Sequence, residues 1–279
     1  MQATATSDQA ARFNDRVFTQ IMNLDRSPER LATISAFANA AGLAFTRYSA
    51  IEGKLVDTST PEMRAMIDVN AWVRRHHRNP TPADIGCYLS HFNAIDAFLA
   101  QAKPFGLIFE DDAAFGADFI ASVSPALDDP SGWDILKLHA RHPGPLVVRR
   151  NYANGVKLCS FVSRPAGAAA YLINRDAAEK MRKHLKPAVK MIDWQYDQGH
   201  LMGLKVRTLD PMPVSLQPVA STRDMKLGKR SWLEKQTDRP ILPRWQLPFR
   251  RLWDDLYRTT YNLFGDGGLR AMLFGPDRT

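Results

Sequence analysis

Residues 104–112, PFGLIFEDD, constrain this chain more than any other stretch. Residues 105–109 are apolar and residues 110–112 are three carboxylates. A short apolar run closed abruptly by polar residues suits a fully buried strand of a parallel sheet. Side chains alternate along a strand, so Glu110 and Asp112 point one way and Asp111 the other. Carboxylates at the end of a buried strand are costly unless something neutralises them. A hard divalent cation with oxygen ligands would do so, Mn²⁺ or Mg²⁺ with a bound phosphate being the common form. The bland alternative is a strand ending in a solvated acidic turn.

The chain around this run reads as α/β. Residues 17–24 form a first strand. Ser27 and Pro28 then open a helix, as N-cap and first helical residue. That helix runs on Leu31, Ile34, Ala38 and Ala41 and stops at Gly42. A second extended segment, 43–51, ends at Glu52-Gly53. Ligands of such folds sit beyond the carboxyl ends of the strands. Asn23, Leu24, Asp25 and Arg26 therefore lie near the site, with Glu52 and Gly53 beside them. Arg26 and Arg30 suit phosphate contact. Residues 54–80 read as irregular and basic, a solvated surface run or a functional flap.

Thr81, Pro82 and Asp84 start a strong helix, with a cap, a first-position proline and an approximate capping box. Ile85, Leu89, Phe92, Ile95 and Leu99 recur at helical spacing and face the core. Gly86 and Ser90 are small, as a backbone approaching a ligand requires. Cys87 and His91, four apart, share another face. No second pair of soft ligands is evident, so they read as a packed cysteine and a hydrogen-bonded histidine rather than a zinc pair.

Downstream, residues 115–127 read as helix and 133–138, WDILKL, as strand. Residues 147–148 and 156–163 read as a hairpin with an Asn154-Gly155 turn. A strand follows within 167–173, a helix over 177–185, and a last strand at 205–209. Asp193 lies in a loop or helix start, with Asp197 following.

Composition limits the function classes. The 279 residues are 45% hydrophobic and 24% charged, enough for a substantial core. No stretch is long and apolar enough to span a bilayer. Residues 1–16 read as a loose polar lead-in without a signal-peptide core. The two cysteines, Cys87 and Cys159, exclude a disulfide framework and favour the cytoplasm. The net charge of +8 points to an anionic partner. Residues 223–279 hold 12 Lys and Arg against seven Asp and Glu, and three of the six tryptophans. Within them Phe249, Leu252, Trp253, Leu256, Tyr257, Tyr261 and Phe264 form one face of an amphipathic helix. That face either packs on the core or lies in a membrane interface.

Six motifs in order resemble glycosyltransferase family 25, the bacterial lipopolysaccharide and lipooligosaccharide sugar transferases. They are IMNLDRSPERL (21–31), SAIEG (49–53), DIGCYLSHFNAI (84–95), LIFEDDAAF (107–115), WDILKL (133–138) and AAYLINRDAAEKM (169–181). Asp193 and SLQPVAS (215–221) complete the series. Asp84 departs from the usual glutamate. The match covers roughly residues 17–222 and leaves the basic, mostly helical tail outside.

The resemblance implies a GT-A type fold, a Rossmann-like α/β/α sandwich with a mostly parallel sheet. It implies a UDP-hexose donor (galactose or glucose), a saccharide or lipid-linked saccharide acceptor, inversion at the anomeric carbon, and a role in cell-envelope glycan synthesis. Asp112 would hold the metal with Glu110. Asn23, Leu24, Arg26, Arg30, Glu52, Gly53, Ser90, His91 and Asp111 would bind the donor. An inverting transfer needs one general base; Asp193 is the first candidate and Asp197 the second. The expected location is cytoplasmic, peripheral on the inner face of the bacterial inner membrane through residues 240–279, with no nucleic-acid partner. Two rival readings are a sugar nucleotidyltransferase and a non-catalytic basic nucleic-acid or membrane binder. The first lacks a glycine-rich phosphate loop after the first strand. The intact acidic triplet argues against the second.

Overall fold

The computed structural model describes residues 5–218 and 246–265, with Leu269 and Leu273. In chain order its first elements are α1 (Ser7–Arg16), β1 (Val17–Asn23), α2 (Pro28–Ala40), β2 (Phe45–Ser49), α3 (Pro61–Met66), α4 (Val69–His76), α5 (Pro82–Leu99) and β3 (Phe105–Glu110). Then come β4 (Ala113–Ala114), α6 (Phe119–Asp128), β5 (Ile135–Lys137), β6 (Leu146–Asn151), β7 (Lys157–Phe161), β8 (Ala170–Asn174) and α7 (Arg175–His184). The last are α8 (Ile192–Tyr196), α9 (Gly199–Met202), β9 (Val206–Asp210), β10 (Ser215–Leu216) and α10 (Gln246–Thr260).

Eight strands form one sheet in the order β2-β1-β3-β8-β5-β9-β7-β6. Alternation along β3 divides the core between its two faces. Leu107 and Phe109 pack with Phe13, Ile34, Phe119 and Val123 from α1, α2 and α6. Ile108, on the opposite face, packs with Leu89, Phe92, Ile95 and Met181 from α5 and α7. Gly106 has no side chain because the Phe98 ring of α5 lies over it; a Cβ there would come within 2.6 Å of that ring. β3 is thus buried on both sides, as its unbroken apolar run requires.

The sheet is mixed. β1 pairs in parallel with β2 and β3, and β5 with β9. β8 is inserted antiparallel between β3 and β5, and β7 and β6 continue antiparallel beyond β9. The expected mostly parallel arrangement therefore holds only for the β2-β1-β3 half and the β5-β9 pair. Even so, β8 begins beside the carboxyl end of β3, with Glu110 N–H donating to the Ala169 carbonyl at 2.8 Å. The carboxyl ends of β1, β2, β3, β5 and β9 and the start of β8 share one sheet edge.

Two expectations for the first third of the chain are corrected. Residues 7–16 are helix, not a loose lead-in: Thr6 and Gln9 form a reciprocal capping box, and Phe13 is buried against Phe119. The basic stretch 54–80 is not an irregular flap. It holds a 3₁₀ turn at Gly53–Leu55 and helices α3 and α4. Trp72 is buried, and His76 stands between the Trp72 and Trp194 rings. Burial, with Arg78 adding to it, pushes the His76 pKa down to about 4. The neutral ring accepts from Met191 N–H at 3.3 Å. Arg78 pairs with Asp84 at 2.6 Å, tying the end of this region to the first turn of α5.

The tail enters the description at α10; the boundary at 223, Trp232, Trp245 and the end of SLQPVAS lie outside the described residues. The carboxyl end of α10 packs on the sheet. Arg258 is buried, and Asn262 donates to the Phe161 carbonyl at 2.8 Å. Leu252, Trp253 and Leu256 are exposed.

Gly53 and Gly86 let the 3₁₀ turn sit against the start of α5. A Cβ on Gly53 would lie 1.7 Å from the Pro82 carbonyl oxygen, and one on Gly86 2.4 Å from that of Ile51. Backbone cannot yield as a flexible side chain can, so Gly53→Ala should cost at least the ~1–3 kcal/mol of ordinary overpacking. Gly155 lies in a turn with nothing within 4 Å of an added Cβ. Gly155→Ala therefore meets only the left-handed backbone penalty of about 1–2 kcal/mol. Urea denaturation of the two variants should rank Gly53→Ala as the more damaging; equal costs would mean the close approach is not made.

Candidate active site

The three carboxylates at the end of β3 are separated by their neighbours. Glu110 follows Ile108 onto the α5 side of the sheet. Its Oε1 lies 3.1 Å from His91 Nε2 and 3.8 Å from Cys87 Sγ. The chain leaves the strand at Glu110, so the expected alternation stops there. Asp111 turns toward β1 and α2, accepting from Asn23 Nδ2 at 2.7 Å and pairing with Arg30. The same Arg30 guanidinium lies 3.7 Å from Asp112 Oδ2.

Asp112 is the least satisfied member. Its Oδ1 is buried without a hydrogen-bond partner. Burial, and after it the Glu110 charge, pushes its pKa up to about 6 despite Arg30. Burial also raises Asp111, opposed by Arg30 and Asn23. Negative charge thus exceeds positive charge here, and an oxygen donor lacks a partner. An unpartnered Asp112 oxygen with the Glu110 charge beside it is the kind of donor set that would accept Mn²⁺ or Mg²⁺. The Asp112 carbonyl accepts from Gln217 N–H at 2.8 Å, and β10 pairs with β4, fixing the exit of the triplet.

The expected donor-side residues divide into two groups. Asn23, Arg26, Arg30, Glu52 and Asp111 surround the open end of β1. Asn23 Nδ2 also donates to Ser27 O at 2.9 Å, and Arg26 reaches Glu52 at 3.4 Å. Arg47 brings its guanidinium 3.4 Å from Asn23 Oδ1 and pairs with Asp25. The Leu24 carbonyl closes the turn onto Ser27 N–H. The second group, Gly53, Ser90 and His91, is engaged within the fold. The backbone that approaches Gly86 is that of residues 51–53, not a ligand. Ser90 Oγ accepts from Ile51 N–H at 2.8 Å and donates to the Gly86 carbonyl at 2.7 Å. His91 is fully buried, stacked on Tyr171, with Nδ1 3.1 Å from the Tyr171 hydroxyl.

The two base candidates hang on the loop before β8. Ala166 and Gly167 both have positive φ, of 51° and 89°. The αL region is costly for alanine and free for glycine, so this loop needs holding. Ala166 N–H donates to Asp197 Oδ2 at 3.1 Å and Gly167 N–H to Asp193 Oδ2 at 2.9 Å. The Gly167 carbonyl accepts from Lys137 Nζ at 2.7 Å and Tyr196 Oη at 2.8 Å. Asp197 is fully enclosed, with its other oxygen 2.7 Å from Lys137 Nζ. Burial raises its pKa, and Lys137 opposes the shift. Both of its oxygens are thus engaged inside the fold. Asp193 Oδ1 accepts from Trp194 N–H at 3.0 Å.

Lys137 and His139 were not singled out from the sequence. Lys137 is a lone cation inside an apolar strand, and that was the available signal. It is completely buried and lies 4.7 Å from the centre of the Tyr196 ring. His139 lies on the same edge; burial and then Lys137 lower its pKa, and its Nδ1 is buried without a partner.

The model of "Glycosyltransferase family 25 (LPS biosynthesis protein)" matches residues 17–197, more than half of the chain, from β1 to Asp197. The chain belongs to glycosyltransferase family 25. A "Glycosyltransferase 25 family member" of Aedes aegypti is 28% identical over 120 residues, 42% of this chain and 20% of the relative. Its namesake in Drosophila melanogaster is 32% identical over 102 residues, 36% and 16% of the two chains. The human "Inactive glycosyltransferase 25 family member 3" is 22% identical over 251 residues, 81% of this chain and 40% of that protein. The matched regions thus span only 16–40% of these relatives.

In this family 25 chain the Lys137–Asp197 pair holds the loop before β8, to which Asp193 of α8 is hydrogen-bonded. Breaking a buried pair leaves one charge uncompensated and costs about 3–5 kcal/mol. Lys137→Met should show a loss of that size in urea denaturation; a loss below about 1 kcal/mol would mean that the pair does not organise this edge.

Proposed function

We propose that this chain is an inverting, metal-dependent hexosyltransferase. It moves galactose or glucose from a UDP-sugar to a saccharide acceptor, with a GT-A type arrangement of the site and a role in cell-envelope glycan synthesis. The observation that carries this is the buried, unpartnered oxygen of Asp112 beside Glu110 at the carboxyl edge of a family 25 domain. Asp112 with Glu110 would hold Mn²⁺ or Mg²⁺, which neutralises charge building on the departing UDP. Arg30 and Asn23 hold Asp111 and so fix the backbone that presents Asp112. Arg26, Glu52 and Arg47 border the end of β1, where the nucleoside would lie.

Asp193 is the base that takes the acceptor proton in this reading. Each of its oxygens accepts one backbone N–H and keeps a second lone-pair direction. Asp197 serves instead as the counter-ion of Lys137. Turnover should separate these roles. Asp112→Asn keeps size and removes charge; losing several kcal/mol of transition-state stabilisation lowers the rate by about 10²–10⁴. Asp193→Asn keeps an acceptor oxygen but not the basicity, and should cut transfer by roughly 10²–10⁴ while UDP affinity stays within a few-fold. Full activity in excess chelator would overturn metal dependence. A loss of UDP affinity equal to the loss of rate in Asp193→Asn would make Asp193 structural.

The same reading places the enzyme at a membrane carrying a lipid-linked acceptor, from the cytoplasmic side. The described residues contain no helix long and apolar enough to cross a membrane. The exposed Leu252, Trp253, Leu256 and Phe264 offer an apolar face, and residues 223–279 carry most of the net positive charge. Basic residues gain about 1 kcal/mol each near an anionic leaflet. Trp253→Glu with Leu256→Glu should abolish sedimentation with phosphatidylglycerol-containing vesicles and leave donor hydrolysis in solution unchanged. Undiminished vesicle binding would refute this attachment.

A further inference from the structure

We infer that Cys87, His91 and Glu110 form a second cation site, one that selects a thiophilic divalent ion such as Zn²⁺. Cys87 and His91 stand four residues apart on α5, and Glu110 comes to them from the end of β3. Their ligand atoms all lie within 4.8 Å of one another. Tetrahedral zinc with ordinary Zn–N, Zn–O and Zn–S bonds places its ligand atoms about 3.4–3.6 Å apart. The separations of 3.1 Å between His91 and Glu110 and 3.8 Å between Cys87 and Glu110 bracket that range. Small rotations of the Cys87 and Glu110 side chains would close the set.

The ring of His91 is already held as a ligand requires. It is fully buried, stacked on Tyr171, and bonded through Nδ1 to the Tyr171 hydroxyl. Such a partner on the far nitrogen fixes ring orientation and tautomer. Burial pushes the Tyr171 phenol well above its ordinary pKa, so it stays protonated and can reverse its role. Without metal, Nε2–H donates to Glu110 and Nδ1 accepts from Tyr171. With metal, Nε2 ligates and Nδ1–H donates to the phenol oxygen. Cys87 loses its proton to solvent as it binds. Water takes the fourth position.

Thiolate and imidazole ligands favour Zn²⁺ and Co²⁺, whereas carboxylates alone suit Mg²⁺ and Mn²⁺. The two cations would therefore compete for Glu110. This consequence rests on the reading that Glu110 also helps Asp112 hold the donor's metal; the soft site itself does not.

The test is a Co²⁺ titration of the chelator-stripped full chain without donor, read by absorbance. A thiolate-to-cobalt charge-transfer band with intense tetrahedral visible bands is expected. The band should persist in Cys159→Ser and vanish in Cys87→Ser, with affinity falling more than about 100-fold, beyond what loss of an outer partner costs. Tyr171→Phe should keep the band and weaken binding by about 10–100-fold. Absence of the band from the wild type overturns the site whatever the variants do, as does its survival in Cys87→Ser. In Mn²⁺-supported donor hydrolysis, Zn²⁺ should inhibit the wild type and not Cys87→Ser. Equal inhibition of both would overturn the competition for Glu110 while leaving the spectroscopic result standing.

Discussion

The cost of ending a fully buried strand in carboxylates organises this molecule. β3 lies between two helical layers, and water reaches its last residues only in part. Each carboxylate is met by a group from a different element: Asp111 by Asn23 of β1 and Arg30 of α2, Glu110 by His91 of α5. Only Asp112 keeps a buried oxygen without a partner. A half-buried carboxylate that must share Arg30 with Asp111 is costly to keep. Its retention beside Glu110 makes this the place where a positively charged ligand has most to gain.

The same economy runs along the edge toward β8. Lys137 is carried into the interior by a strand that is otherwise apolar, and Asp197 neutralises it. Their contacts converge on residues 166–167, whose backbone is strained at Ala166 and permissive at Gly167. Two carboxylates take the N–H groups and a lysine and a tyrosine take the carbonyl. Asp193 is held there by the loop and in turn holds it. In the proposed reaction, a base so placed would have a fixed direction, which proton transfer needs. It also means that removing it outright disturbs structure as well as chemistry.

Local signals in the sequence read well where one element suffices. The unbroken apolar run of β3, the Thr81-Pro82-Asp84 cap of α5 and the Asn154-Gly155 turn each specify their own geometry, and all are present. The capping box of Thr6 and Gln9 was equally legible, but the polar composition around it masked the single anchor, Phe13. Which strands become neighbours was not legible. β8 enters between β3 and β5 in the opposite direction, and nothing in its own residues announces that. Gly86 and Ser90 read as small because a backbone there approaches a ligand, but what meets Gly86 is another stretch of backbone. The backbone is that of residues 51–53, a segment more than 30 positions earlier that no local pattern could identify.

Cys87 and His91 show the same limit from the other side. Four residues apart on one helix, they face together by helical geometry alone, and two soft ligands do not make a site. The third comes from a strand 19 residues after His91, and only the packing of α5 against β3 delivers it. That packing is required by Gly106, whose missing side chain admits Phe98 and draws the helix onto the strand. Cation binding at Glu110, from either side, is therefore coupled to how closely α5 rides on β3. A change at Gly106 that lifts the helix would separate Glu110 from Cys87 and His91 while leaving Asp111 and Arg30, on the opposite face, in place.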